Sequence, residues 1–325
     1  MTNSYYAGGV GARAKMAIGL TGSTLTTMDF VEFSPGIVKN YADGSTKAMR
    51  GTLDHNSISV TEGLLHVRFR TRFWVTAAKM NTLLLSLGFT ASGDTWTIGD
   101  AIPQSTMVFT PDGSPDNTFA GLMPSDFVMA GQKGSDPNFI DIGWVGSGWT
   151  QAANGTYSYP TITEGYPYAF GVTPNTGYAA TFTLGSPYSL NLFVPQVRVQ
   201  MDYKLAVEFN NSTVATSILP TDHVLTVSTS CLYDTADGFT NLVTLPLGIP
   251  SSTAPDVTGC SFAWDMKNLY GGSQNQTQVS IANVKPTARF PRIVKNDFNR
   301  LPLNFLAFAS GSTPSMVITN VSSGV

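Results

Sequence analysis

From His66 to Val75 the chain alternates strictly. Val67, Phe69, Thr71, Phe73 and Val75 fall on one side, and Arg68, Arg70 and Arg72 fall on the other. A period of two is the mark of a strand with one buried face. The segment therefore predicts a strand that opens at His66 and carries an arginine ladder outward. The period then changes. Met80, Leu83, Leu84 and Leu87 sit at i, i+3, i+4 and i+7, one stripe of a helix. Thr76 stands at the N-cap position before Ala77, Ala78 and Lys79, and Gly88 stands where the helix would stop.

The second half repeats the order. Val197, Val199, Met201, Tyr203, Leu205, Val207 and Phe209 alternate with Arg198, Gln200, Asp202, Lys204, Ala206 and Glu208, a long half-exposed strand. A second strand is expected from Val224 to Tyr233. Asp237 can cap a short helix with Phe239, Leu242 and Val243, ended by Pro246-Leu247-Gly248. Further strands are expected at Met107-Val108-Phe109 and at Ser261-Phe262-Ala263-Trp264. The alternating Leu301, Leu303, Phe305, Ala307 and Ala309 and the run Met316-Val317-Ile318 add two more. Strand, helix and Gly/Pro stop thus occur twice. The expectation is mainly β: two tandem β-sandwich or barrel domains, residues 1–190 and 191–325, each with a flanking short α-helix.

The remaining segments read as irregular. Gly8-Gly9-Val10-Gly11 begins an arm over residues 1–20, Ser34-Pro35-Gly36 marks a turn, and Tyr41-Ala42-Asp43-Gly44-Ser45 reads as a loop tip. Between the halves, Gln132 to Tyr188 is dense in Gly, Tyr, Thr, Pro and Asn and holds Trp144 and Trp149. Strands are expected there at Phe139 to Val145 and Ala179 to Leu184, among long loops that need a partner surface.

Composition sharpens this picture. Charged residues make up 12% of the 325, about half the usual share, so long solvated helices are disfavoured. A net charge of −3 on a Gly/Ser/Thr/Tyr-rich surface suits a protein that buries its surface in partners. Met1 to Leu20 lacks the apolar run of a signal peptide, and no stretch approaches the ~20 apolar residues of a membrane helix. Synthesis in the cytosol without an export signal or membrane span is the expectation. Two cysteines, Cys231 and Cys260, are too few for a disulfide framework; they read as buried small hydrophobes, with one bridge possible if their strands are neighbours.

Candidate chemistry is sparse. The three histidines, His55, His66 and His223, have no metal-ligand spacing, and His55 and His223 sit in loop-like contexts beside Asp54 and Asp222. There is no Gly-x-Ser-x-Gly elbow, and Gly8 to Lys15 lacks the Gly-Lys-Ser/Thr of a phosphate loop. The reading is no enzyme and no cofactor. Basic residues cluster at Lys39 to Lys79 and at Lys285 to Arg300. In a net acidic chain they fit salt bridges with Asp-rich faces of neighbouring subunits better than a tight hold on nucleic acid.

The run Arg50-Gly51-Thr52-Leu53-Asp54-His55-Asn56-Ser57-Ile58-Ser59-Val60-Thr61-Glu62-Gly63, followed by a strand and a short helix, resembles tailed-bacteriophage tail tube (major tail) proteins of the two-domain type. So does the end of the chain. Gln278 to Val284 is followed by a basic segment, then Leu301 to Ala309 and the closing Ile318-Thr319-Asn320. The resemblance implies a β-sandwich with a flanking helix whose sheets join around a ring. Rings would stack through an arm or loop into a tube that conducts double-stranded DNA from capsid to host. It implies a virion protein assembled in the host cytoplasm, in threefold rings of pseudo-sixfold symmetry. Tape measure, tail terminator and distal tail proteins would be its partners. The segment Pro35, Gly36, Tyr41, Asp43, Lys47 and Arg50 is the expected inter-ring contact. Arg68, Arg70, Arg72, Arg198 and Lys204, on the two long strands, are the other expected assembly residues. Two alternatives stand beside it. One is a jelly-roll capsid or decoration subunit. The other is a carbohydrate-binding adhesive module in which Trp144, Trp149 and nearby tyrosines form a stacking platform.

Overall fold

The computed structural model describes residues 14–34, 37–43, 60–99, 101–132, 137–161, 167–168, 180–184, 190–209, 215–232, 259–267, 275–288 and 300–321. The chain begins with β1 (Lys15–Leu20), β2 (Thr26–Thr27), β3 (Glu32–Ser34), β4 (Ile37–Asp43) and β5 (Val60–Trp74). The helix α1 (Ala77–Ser86) follows, then the hairpin β6 (Phe89–Ser92) and β7 (Thr95–Ile98). Next come β8 (Ser105–Thr110), β9 (Asp116–Gln132), β10 (Phe139–Gly146), β11 (Gly148–Ala152), β12 (Ala180–Leu184) and β13 (Leu190–Phe193). The long hairpin β14 (Gln196–Glu208) and β15 (Ser217–Leu232) precedes β16 (Ser261–Lys267) and β17 (Gln276–Ile281). The chain closes with β18 (Val284–Ala288), β19 (Arg300–Ala307) and β20 (Val317–Val321).

These strands form two antiparallel sheets. The larger has 13 strands and the path β18-β19-β15-β14-β9-β10-β5-β3, with β1, β2, β4, β8 and β11 attached to it. The smaller has seven, in the order β13-β12-β16-β17-β20-β7-β6. They face each other as a β-sandwich. Phe305 of β19 meets Phe182 of β12 at 4.2 Å between ring centroids, and Phe127 of β9 meets Phe89 of β6 at 6.2 Å. Both rows of alternating residues point inward as expected. Val67, Phe69, Thr71 and Phe73 of β5 are buried, and so are Val197, Val199, Met201 and Tyr203 of β14.

Helix α1 follows β5 in the chain and packs against β1 of the large sheet and β6 and β20 of the small one. Thr76 caps it, accepting from the Lys79 backbone N–H at 3.4 Å, and Met80, Leu83, Leu84 and Leu87 are buried. Gly88 takes φ +84, the left-handed conformation that ends a helix. The buried Lys79 brings its Nζ to the Asp29 carbonyl at 3.2 Å. No helix of the described residues is long and apolar enough to cross a membrane.

Several expectations change. Residues Lys15 to Leu20 are no part of an arm: Met16, Ala17 and Ile18 are fully buried and β1 pairs with β8. The described part of the first fifty residues holds four strands, and Tyr41 and Asp43 lie in β4, paired with β5, instead of a loop tip. The strand through His66 opens at Val60, and β15 opens at Ser217, so Asp222 and His223 lie within a strand. Strands from both sides of residue 190 share each sheet: β14 pairs with β9, and β20 with β7. Ala309 is exposed beyond the end of β19, and Cys260 is buried. The second helix, expected at 237–248, lies outside the described residues.

Candidate functional site: the outer face and ends of the large sheet

The residues that alternate with the core set of β5 lie on the outer face of the large sheet. Cross-strand register carries one row over it: Glu32 opposite Arg72, Arg72 opposite Asp141, Asp141 opposite Val128, and Val128 opposite Gln200. Arg70 and Arg72 find their acidic partners within this row and the next. The Arg70 guanidinium spans two carboxylates, donating from Nη2 to Asp126 Oδ2 at 2.7 Å and from Nε to Asp141 Oδ1 at 3.0 Å. Arg72 donates from Nη2 to Asp141 Oδ2 at 3.0 Å and from Nη1 to Glu32 Oε2 at 3.1 Å, and lies over the Phe139 ring. These ion pairs of Arg70 and Arg72 lie within one chain. The two aspartates come from β9 and β10 and Glu32 from β3, strands distant in sequence from β5, and only the register brings them here.

The ladder lines an open cleft of about 630 Å³ with Ser34, Arg68 and Ser125. Arg68 makes no ion pair among the described residues. Arg198 donates from Nε and Nη2 to Gln200 Oε1, and Lys204 is exposed. A second groove of about 680 Å³ crosses the same face, from Val31, Trp74 and Phe139 to Arg198, Ser228 and Asn304. Pro35, Gly36, Lys47 and Arg50 lie outside the described residues, and only the backbone pairing of Tyr41 and Asp43 is described.

Exposed ion pairs stabilise little, about 0–1 kcal/mol each, because water screens them. With Arg70 half-exposed, the network orients side chains more than it stabilises the fold. Gly143 makes room for it. A Cβ there would collide with the Asp126 carboxylate and approach Ser125 Oγ to 2.6 Å. Gly143→Ala should therefore swing Asp126 away from Arg70, at a cost of about 1 kcal/mol. Equilibrium denaturation of Gly143→Ala, Arg70→Ala and the double variant should show non-additivity, because both single changes break the same contact.

A second polar centre pins the loop after β11. The buried Asp116 accepts from Thr110 Oγ1 at 2.6 Å and from the Tyr157 backbone N–H at 2.7 Å, and Tyr159 joins through Thr110. Burial pushes the carboxyl up, but the Thr110 hydroxyl and the N–H groups of Tyr157, Gly155 and Thr156 outweigh it and hold it below its ordinary value. Burial also pushes the Tyr159 phenol up to about 12. A depressed folded-state carboxyl adds stability above the ordinary carboxylate range, and that stability is lost as pH falls through the folded value. Asp116→Asn should flatten the acid limb of stability below pH 3.8 and lower stability at neutral pH. Urea midpoints measured across that range check both.

The ends of the long strands form the other feature of this sheet. β10 pairs with β5 from Val67 to Trp74, whereas β4 pairs with it from Val60 to Val67. Among the described residues, Val60 to His66 thus run past the sheet as a two-stranded ribbon with β4. At the same end β14 leaves β9 after Asp202 and continues with β15 to the pair Glu208–Ser217. The His66 and Phe209 rings, 6.5 Å apart, mark where the two ribbons meet. The second ribbon is backed by apolar packing, with Leu205 and Val207 against Met123, Val145 and Ile218. Burial, followed by the charge of Arg68, pushes the His66 imidazole below its ordinary value.

The Trp144 and Trp149 pair expected as a platform is split. Trp144 is fully buried, and Trp149 alone of the two is exposed. No family model matches the chain, and no curated protein matches it.

Proposed function

We propose that the chain is a structural subunit that polymerises with copies of itself into stacked rings, as the tail tube subunits it resembles do. The observation that carries this reading is the β4–β5 ribbon. A two-stranded ribbon is marginal in water by itself, and strand Val60 to His66 has a partner on one side only among the described residues. A ribbon held in this form is suited to docking on another copy. The sheet edges support the reading. β18 is guarded by Lys285 and Pro286, whereas β6 ends the small sheet with Thr90, Ala91 and Ser92 exposed and carries neither charge nor proline. Mechanism here means β-augmentation and ribbon docking in place of catalysis. One chain supplies one wall segment, because both halves contribute strands to each sheet.

The outer face fits the wall of a DNA conduit. The ladder sets the guanidinium groups of Arg70 and Arg72 against the carboxylates of Glu32, Asp126 and Asp141, and Arg68 brings this six-residue cluster to neutrality. A balanced cluster gives a passing duplex no phosphate grip. The partners proposed are other copies, tape measure, terminator and distal tail proteins, within a virion tail.

Replacing residues 39–65 by an Asn-Gly turn, which joins the opposed Val38 and His66, tests the ribbon. The variant should keep its near-ultraviolet circular dichroism and thermal transition yet sediment as a monomer where the parent chain assembles. A variant that still forms the parent's assemblies overturns the role of the ribbon.

A further inference from the structure

Trp149 is 41% exposed on β11, a strand paired on one side only, to β9, among the described residues. Such a ring, left free, would be a liability, yet its orientation is fixed. The indole Nε1 donates to Asn117 Oδ1 at 3.2 Å, and Gln151 Nε2 donates to the same oxygen at 3.0 Å. Asn117 is itself anchored, its Nδ2 donating to the Pro115 carbonyl at 2.9 Å and the Phe109 carbonyl at 3.4 Å. An exposed indole, two strand-borne amide side chains and no charged group in this hydrogen-bonded set form a rigid, neutral, half-apolar patch.

We propose that this patch binds a neutral sugar. A pyranose presents an axial C–H face that stacks on an indole and equatorial hydroxyls that bond to a planar amide, and this patch sets the Trp149 ring beside the Gln151 amide, with the fully bonded Asn117 amide holding the two in place. The pre-set indole loses little rotamer freedom on stacking. A nucleic acid would need cations beside the ring, and none belongs to this set. Trp144 takes no part: it lies in the core, bonded to Thr71. The site stands apart from the assembly reading, since it uses the β11 surface and not the β4–β5 ribbon.

The test titrates the full chain with maltohexaose, cellohexaose and chitohexaose, read by saturation-transfer NMR and by tryptophan fluorescence. At least one should saturate. Trp149→Ala should weaken it about tenfold or more, and Trp149→Phe, which keeps a stacking face, should weaken it less. Thermal transitions of both variants should match the parent chain, because the side chain is exposed. No saturable binding of any of the three overturns the proposal. So does equal binding by Trp149→Ala, whether or not the chain assembles.

Discussion

Replacing Trp144 by alanine is expected to cost the fold about 4 kcal/mol, the largest single loss foreseen for this chain. The indole is fully buried and stands on β10 between Phe69 of β5 and Pro124 of β9. Its Nε1 donates to Thr71 Oγ1 at 2.9 Å, and Thr71 is itself buried. Truncation therefore opens a cavity and strands a buried hydroxyl, and the two costs add. The sheet has little freedom to collapse there, because β9 and β10 already shift register between Gly143 and Trp144. Trp144→Phe should recover more than half of the loss, since it refills most of the volume and leaves only the hydroxyl. Urea denaturation of the three proteins measures this. A loss below about 1 kcal/mol for Trp144→Ala would mean that the indole is not in the core.

Asn320→Ala is expected to follow, at about 2–4 kcal/mol. This residue ties the small sheet to the helix. Thr277 Oγ1 donates to its Oδ1 at 2.6 Å, and its Nδ2 donates to the Ala77 carbonyl at 2.9 Å and to Asn81 Oδ1 at 2.7 Å. Its backbone N–H reaches the Asp94 carbonyl at 2.8 Å, in the turn between β6 and β7. Alanine leaves the buried Thr277 hydroxyl without this acceptor and frees the first turn of α1 from β20. Asn320→Asp should cost at least as much, because a carboxylate oxygen would face the Ala77 carbonyl. Amide exchange adds a specific readout: protection should fall in α1 before it falls in the centre of the large sheet.

What was legible in the sequence follows from where each pattern originates. β5 and β14 each bury one face and expose the other, so their alternation was on the page. Helix α1 was legible because its cap, stripe and glycine stop are all local. β1 was not, because Met16, Ala17 and Ile18 are buried on both faces and show no alternation. β4 was missed because Tyr41-Ala42-Asp43 followed by Gly44 has the composition of a turn, while its pairing to β5 is set by register. The arginine ladder was visible, but Asp126 and Asp141 were not, since nothing local to Arg70 names strands far along the chain. The alternation of Phe139, Asp141 and Gly143 did mark Asp141 as outward, and that signal was available. The repeated strand–helix rhythm suggested two units in tandem, but sheet order is a long-range property, and strands from both halves interleave in each sheet.

Self-assembly is the property on which the proposed role depends, and negative-stain microscopy of the purified full chain across a concentration series tests it most directly. Rings or tubes of one uniform diameter that grow with concentration are the expected result. Monomers at every concentration, with no ring or tube in the native particle, would contradict it.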